Sequence, residues 1–355
     1  MPNSALRQSL IAGSLLALSW SAAPTFAQAT AQPTEDFFVT FQVPGSTVTV
    51  PTSINNALSA AGYYQDATNR YHGFVRDALG MITPFDPPGS VFTQVFSINA
   101  GGTITGHYTD ANNVSHGFVR SPKGAINSFD PLGSIFTIGW SINARGTITG
   151  NYRDANGTDH GFVRTPQGDI ISFDPPGGGS FPSDVQFSIN DVGIIAGWYY
   201  DTNRVAHGFA RSVNGGITPF DPAGSSATYA FGINNKGEIA GYYSLSGTIG
   251  YHGFVRDPKG AFTSFDAPGS NATFVQSINA KGTIAGFYSD TNFVTHDFVR
   301  AAESGSITSF NPPNSNFTEA NAISDNGVVL GFYTSGGPQF GFLRIPRSGS
   351  GRFQP

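Results

Sequence analysis

Six histidines stand at near-even intervals, at 72, 116, 160, 207, 252 and 296, and five of them are followed fourteen residues later by an aspartate: Asp86, Asp130, Asp174, Asp221 and Asp266. An imidazole beside a carboxylate can serve as an acid–base pair or as part of a metal-ligand set. The sixth histidine has Asn311 fifteen residues on, and a seventh copy has Phe340 and Gln42 in the two places. Partners that vanish together within one chain are expected to touch across neighbouring strands. A reaction centre also needs its groups to converge, and pairs spread around a repeat do not. His72–Asp86, His116–Asp130, His160–Asp174, His207–Asp221 and His252–Asp266 are therefore read as structural hydrogen bonds, each worth roughly 0.5–3 kcal/mol.

Two other patterns invite chemistry. An arginine recurs at 76, 120, 164, 211, 256, 300 and 344, four residues after each histidine position. A ring of guanidinium groups would attract anions, but on a third strand away from the axis each is expected to meet a local carboxylate or carbonyl. Asp-x-Asn loops precede most of the histidines, and Asp154-Ala155-Asn156-Gly157-Thr158-Asp159 partly resembles a calcium loop. Asp154, Asn156 and Asp159 are the candidate ligands for Ca²⁺, although the distal glutamate of an EF-hand is missing. The same residues are standard turn formers, which is the preferred reading. No other cofactor is expected.

The elements that position these residues follow from a repeat. Ser/Gly-Ile-Asn recurs with isoleucine at 54, 98, 142, 189, 233 and 278, then as Ala-Ile-Ser at Ile323. Between successive copies the alternating apolar runs, broken by Gly, Asn, Asp and Pro, predict four short strands. Repeats of about 45 residues with four strands each suit propeller blades. The last copy stops after its third strand, at Gly341-Phe342-Leu343-Arg344, and the missing fourth strand lies at the other end as Phe41-Gln42-Val43-Pro44-Gly45-Ser46. The expectation is an all-β, seven-bladed β-propeller of four-stranded blades, the last completed by the N-terminal strand. Closing the ring in this way covers a sheet edge that would otherwise invite aggregation.

The motifs Ile-Asn-x-x-Gly-x-Ile-x-Gly-x-Tyr and His-Gly-Phe-Val-Arg, as in Ile98 to Tyr108 and His116 to Arg120, resemble those of the bacterial extracellular HAF-repeat proteins. The resemblance runs from about Phe37 to Pro346, with Gly where the family signature has Ala. It implies export and a repeat fold, and no particular activity.

Composition bounds the rest. Arg7, the apolar run Leu10 to Trp20 and Ala27-Gln28-Ala29 read as a secretory signal peptide over residues 1–29. A short linker is expected over 30–36, one propeller domain over 37–346 and a disordered tail over 347–355. The chain has no Cys, so neither disulfides nor thiolate metal sites are available. Net charge is −5 with only four lysines, which argues against a nucleic-acid partner. No membrane span is expected after signal cleavage, and the address is secreted or periplasmic in a bacterium.

If the repeated residues build the scaffold, function belongs to what varies on the face carrying the strand two–three loops. The candidates there are Arg70, Tyr71, Asn112, Arg153, Arg204, Tyr251 and Phe293. Nucleophile elbow, His-Glu-x-x-His, phosphate-loop and dinucleotide motifs are all missing from the sequence. The four glutamates, at 35, 238, 303 and 319, hold unrelated positions in the repeat. The chain is therefore expected to be a monomeric, non-catalytic binding or interaction propeller for a carbohydrate, another extracellular polymer or a protein. The alternatives are a hydrolase or lyase using a divalent cation at the axial opening, and a structural envelope or matrix protein.

Overall fold

The computed structural model describes residues 36–182, 185–247 and 249–346, so the expected signal peptide, most of the linker and the tail lie outside the described residues. Among the described residues there are 28 strands in four-stranded sets, and no helix is long and apolar enough to cross a membrane. The second set is representative, with strands Ser90–Ile98, Ile104–Asp110, Ser115–Arg120 and Ile126–Phe129 joined as an antiparallel meander. Tight turns make this path possible. Asn99 Oδ1 accepts the Thr103 amide, and Gly102 takes a positive φ of 80° that closes the turn between first and second strands.

The first strands are Val48–Ile54, Ser90–Ile98, Ser134–Ile142, Ser188–Ile189, Ser225–Ile233, Ser270–Ile278 and Phe317–Ile323. Each touches the first strand of the set before and the set after, and Phe317–Ile323 touches Val48–Ile54, so the succession closes on itself. The closure is reinforced at the other end of the last set. Strand Phe37–Phe41 pairs antiparallel with Gln339–Ile345, with Phe37 opposite Ile345 and Phe41 opposite Gly341. Asp36 then accepts a 2.7 Å bond from Nε of Arg344.

The core lies between consecutive sets. Phe74, Phe118, Phe162, Phe209, Phe254, Phe298 and Phe342, one from each third strand, are completely buried. Loss of any one such ring costs roughly 3–5 kcal/mol. Close packing explains the neighbouring glycine: a Cβ on Gly117 would lie 2.5 Å from the Phe129 ring. The sixth set breaks this rule with Asp297, whose carboxylate takes the hydroxyl of Thr318 from the next first strand. Burial holds Asp297 well above the usual carboxylate range.

An asparagine girdle ties the sets together at the turn side. Asn55 Nδ2 donates to the Asn99 carbonyl at 3.1 Å, Asn99 to Asn143, Asn143 to Asn190, Asn190 to Asn234, Asn234 to Asn279, and Asn279 to Ser324. Ser324 cannot pass the chain on, and there Asp325 and Asn56 exchange two bonds of 2.6 and 2.8 Å instead. These Ile-Asn elements ring a depression of about 220 Å³. The Gly177–Pro182 insertion tucks inward. Ser180 pairs with Tyr200, and Phe181 is buried among Phe173, Phe187 and Phe209.

Candidate functional site

The repeated histidines stand on the loop face, each held on two sides. His116 Nδ1 lies 2.7 Å from Asp130, its Nε2 lies 3.7 Å from Asp110, and its ring packs on Tyr108 at 5.1 Å. The same bracket holds His72, His160 and His207 between Asp66 and Asp86, Asp154 and Asp174, Asp201 and Asp221. His252 keeps Asp266 alone, and His296 keeps Asp290 with Asn311. In the last set Phe340 stacks on Tyr333 at 5.5 Å with no carboxylate partner. Both ring nitrogens of the bracketed histidines thus face local acceptors, and the ring stacking survives where the acceptors are gone.

The Asp-x-Asn loops are Asx turns. Asp154 Oδ1 accepts the amides of Asn156 and Thr158, and its Oδ2 accepts Asn156 Nδ2. Asp159 is instead engaged by Arg153 through bonds of 2.8 and 3.1 Å. Asp154, Asn156 and Asp159 are therefore not drawn to one point. Among the described residues no three His, Asp or Glu side chains group in a way that could hold a metal. Backbone amide donors, above all that of residue 114 or 158, hold Asp110 and Asp154 below the usual carboxylate range.

Nor do the arginines ring an opening. Arg120 sits over the Phe85 ring at 4.6 Å and Arg164 over Phe129 at 5.0 Å, each on the strand-four phenylalanine of the preceding set. Each donates Nη1 to the next backbone carbonyl, as Arg76 does to Asp77 at 3.1 Å. Arg344 differs by taking the carboxylate of Asp36.

Of the loop candidates, Arg70, Asn112, Arg204 and Phe293 are exposed. Arg204 and Phe293 occupy left-handed backbone positions at turn tips. Tyr71 and Tyr251 behave differently, because both lean into aromatic groups that descend from the loop face. Tyr71 contacts Tyr63 at 5.8 Å and Phe92 at 5.2 Å. Tyr251 contacts Tyr242 at 5.2 Å, Phe274 at 5.3 Å and Tyr229 at 6.1 Å.

These groups lead to residues that the repeat pattern did not single out. In most first strands a β-bulge falls three residues before the girdle position, at Thr52, Phe96, Trp140, Phe231, Gln276 and Asn321. A bulge re-aims a side chain, and here it sends Thr52, Phe96, Gln276 and Asn321 to the next first strand, whereas Trp140 donates to Asn151 and Phe231 packs on Tyr242 within their own sets. Thr52 Oγ1 reaches the Val95 carbonyl, Asn321 Nδ2 the Pro51 carbonyl, and Phe96 stacks on Trp140 at 4.2 Å. Gln276 Nε2 reaches Oε1 of Glu319 at 3.5 Å.

Glu319 has protein packed on every side but keeps partial accessibility, and the same holds for Tyr63 and Tyr242. Tyr63 belongs to the first set, Tyr242 to the fifth and Glu319 to the seventh, yet the charge of Glu319 acts on both hydroxyls, so the three face a common, solvent-reached axial space inside the closed succession of first strands. Burial pushes the Glu319 carboxyl up to about 7. Burial raises the Tyr63 and Tyr242 hydroxyls, and the charge of Glu319 adds to both. Burial likewise drives His107, stacked on Phe96 at 5.6 Å, down to about 4, so it is neutral at pH 7. The sequence signal for Glu319 is variation: the position five before the girdle reads Val50, Gln94, Ile138, Val185, Tyr229, Phe274 and Glu319.

The chain has an all-β, propeller-like fold shared with several solved structures. An oligogalacturonate lyase in complex with manganese is similar with a TM-score of 0.58 and 11% identity, covering 88% of this chain and 97% of that one. The β-propeller domain of the trilobed protease from Pyrococcus furiosus, described as having an open velcro topology, gives 0.57 and 10%, covering 86% and 99%. A prolyl endopeptidase structure gives 0.60 and 10%, covering 86% of this chain and 51% of that one. At such identities the likeness defines the fold alone. No protein-family model matches the chain, and no curated protein does.

Proposed function

We propose that this is an exported seven-bladed propeller, closed by strand Phe37–Phe41, that binds a carbohydrate or other extracellular polymer where its axis opens on the loop face. The closed succession of first strands supports the blade count. The resemblance to HAF-repeat proteins supports export.

The observation that carries the binding reading is the pair of aromatic groups under Tyr71 and Tyr251. Rings with hydroxyls, running from Tyr71 and Tyr251 to Tyr63 and Tyr242 through tilted and edge-on contacts, offer the flat apolar faces and polar edges that sugar rings need. Arg70, Asn112, Arg204 and Phe293, exposed on the strand two–three loops, would add secondary contacts, with Arg153 committed to Asp159. A glycan array tests the reading. Wild type should bind a defined glycan class, and Tyr71→Ala and Tyr251→Ala should each weaken it at least tenfold. Binding of no glycan, or binding indifferent to both changes, rejects it.

A hydrolase or lyase is the second reading, favoured by one observation: a carboxyl poised near 7 is suited to proton transfer at neutral pH. Chain cleavage of a bound polymer that disappears in Glu319→Gln would establish it. Tight binding with unchanged polymer length would leave the non-catalytic reading. A matrix role without ligand is the outcome if neither binding nor cleavage occurs.

A further inference from the structure

We propose that the axial space is a binding site for an organic ammonium group, with Glu319 as counter-ion and the rings of Tyr63, Tyr229 and Tyr242 as its walls. Within the polymer-binding reading above, on which this part rests, the ligand is an amino sugar carrying a free amine.

The argument begins with what Glu319 lacks. Among the described residues no Lys, Arg or His pairs with it; its one polar contact is Gln276 at 3.5 Å, and burial alone accounts for its raised carboxyl. A carboxylate enclosed without a cation of its own favours a ligand that brings one. Its surroundings fit an ammonium. Tyr242 lies 5.1–5.2 Å from Phe231, Tyr229, Tyr251 and Phe274, so an aromatic cluster is gathered beside the axial space. Such faces attract cations through their quadrupoles, more strongly when water is excluded. Gln276 Oε1 and the Tyr63 and Tyr242 hydroxyls supply acceptors for the remaining N–H donors.

Selectivity follows from the same groups. An N-acetylated sugar would bury Glu319 against a neutral amide and leave its charge unpaired, whereas a free amine neutralises it. The other ionisable groups near Glu319 do not replace that cation. Tyr63 and Tyr242 are neutral, and Asp297, engaged by Thr318 and held by burial above the usual carboxylate range, supplies no positive charge.

Calorimetric titration of the full chain at pH 8 with three probes tests the proposal: a glucosamine tetramer, its fully N-acetylated counterpart and cyclohexylamine. The expected result is at least tenfold preference for the free-amine tetramer, measurable cyclohexylamine binding, and loss of both in Glu319→Gln with an unchanged far-ultraviolet spectrum. Equal binding of the two tetramers, insensitive to Glu319→Gln, overturns the ammonium site and leaves the carbohydrate reading standing. Cyclohexylamine binding lost in Glu319→Gln, with neither tetramer bound, keeps the ammonium site and removes the amino-sugar ligand. No binding of any probe overturns the ammonium site, and the glycan array then decides the carbohydrate reading by itself.

Discussion

The rim and the axis of this molecule are built on opposite principles. At the rim, His116, Asp130, Asp110 and Tyr108 recur with small changes in nearly every set, and their polar atoms answer one another. At the axis the equivalent positions hold Val50, Gln94, Ile138, Val185, Tyr229, Phe274 and Glu319, a series that runs from aliphatic through amide and aromatic to acid. Repetition marks bonds that every blade-like set needs for itself. Irregularity marks surfaces where the sets together face something else.

The comparison can be broken most severely at its seam. Deleting Phe37–Phe41 removes five paired residues and the Phe38 ring from its contacts with Phe310 and Phe342 at 6.1 Å. Several kcal/mol should be lost, lowering the melting temperature by about 10 °C or more in scanning calorimetry. A truncated monomer melting with wild type would show that the ring does not depend on this strand.

The axis itself gives the next largest effect. Glu319 is raised from 4.5 to about 7, so the folded state holds its proton more tightly than the unfolded chain. That stability is fully present below pH 4.5 and is lost as pH rises to 7. At about 1.4 kcal/mol per unit, discounted for partial accessibility, the loss is on the order of 1–3 kcal/mol. Glu319→Gln should remove this slope and stabilise the protein at pH 8 by denaturant titration. An unchanged pH profile would place Glu319 in bulk-like solvent.

The rim should respond less. His116→Phe copies the Phe340–Tyr333 stack of the last set. It should cost about 1 kcal/mol, less than His116→Ala, because the stack is kept and only the hydrogen bonds go. A cost well above 3 kcal/mol would mean that the carboxylate bracket, not packing, holds the rim.

The smallest effect concerns acid. Asp110 and Asp154 are held low by amide donors in their own turns, so the stability they add is present above the ordinary aspartate range and fades as pH falls below about 4. Asp154→Asn should flatten the acid limb of the melting curve slightly. An acid limb identical to wild type would show that the turn does not favour the ionised form.

Much of this was legible because repeats compare a chain with itself. The Ile-Asn period marked the strands and turns, and the joint loss of His and Asp at Phe340 and Gln42 foretold a contact that Nδ1–carboxylate distances of 2.5–3.0 Å now describe. The Asx turns were legible from residue type. The axial residues were not. A bulge at Phe96 or Gln276 shifts the strand alternation by one, so a period-two reading assigns those side chains to the wrong face. Glu319 passed as an isolated glutamate because its importance lies in neighbours from other sets, Gln276 and Tyr63, far away in sequence. Tyr71 and Tyr251 read as loop residues in the sequence, and their ring contacts with Tyr63 and Tyr242 come from strands that the loop reading did not connect to them.

The division between rim and axis is tested most directly by one binding series on the glucosamine tetramer, measured for wild type, His160→Phe and Glu319→Gln. The account predicts that His160→Phe binds within twofold of wild type while Glu319→Gln is weakened at least tenfold. The reverse order, with binding lost at the rim and kept at the axis, would contradict it.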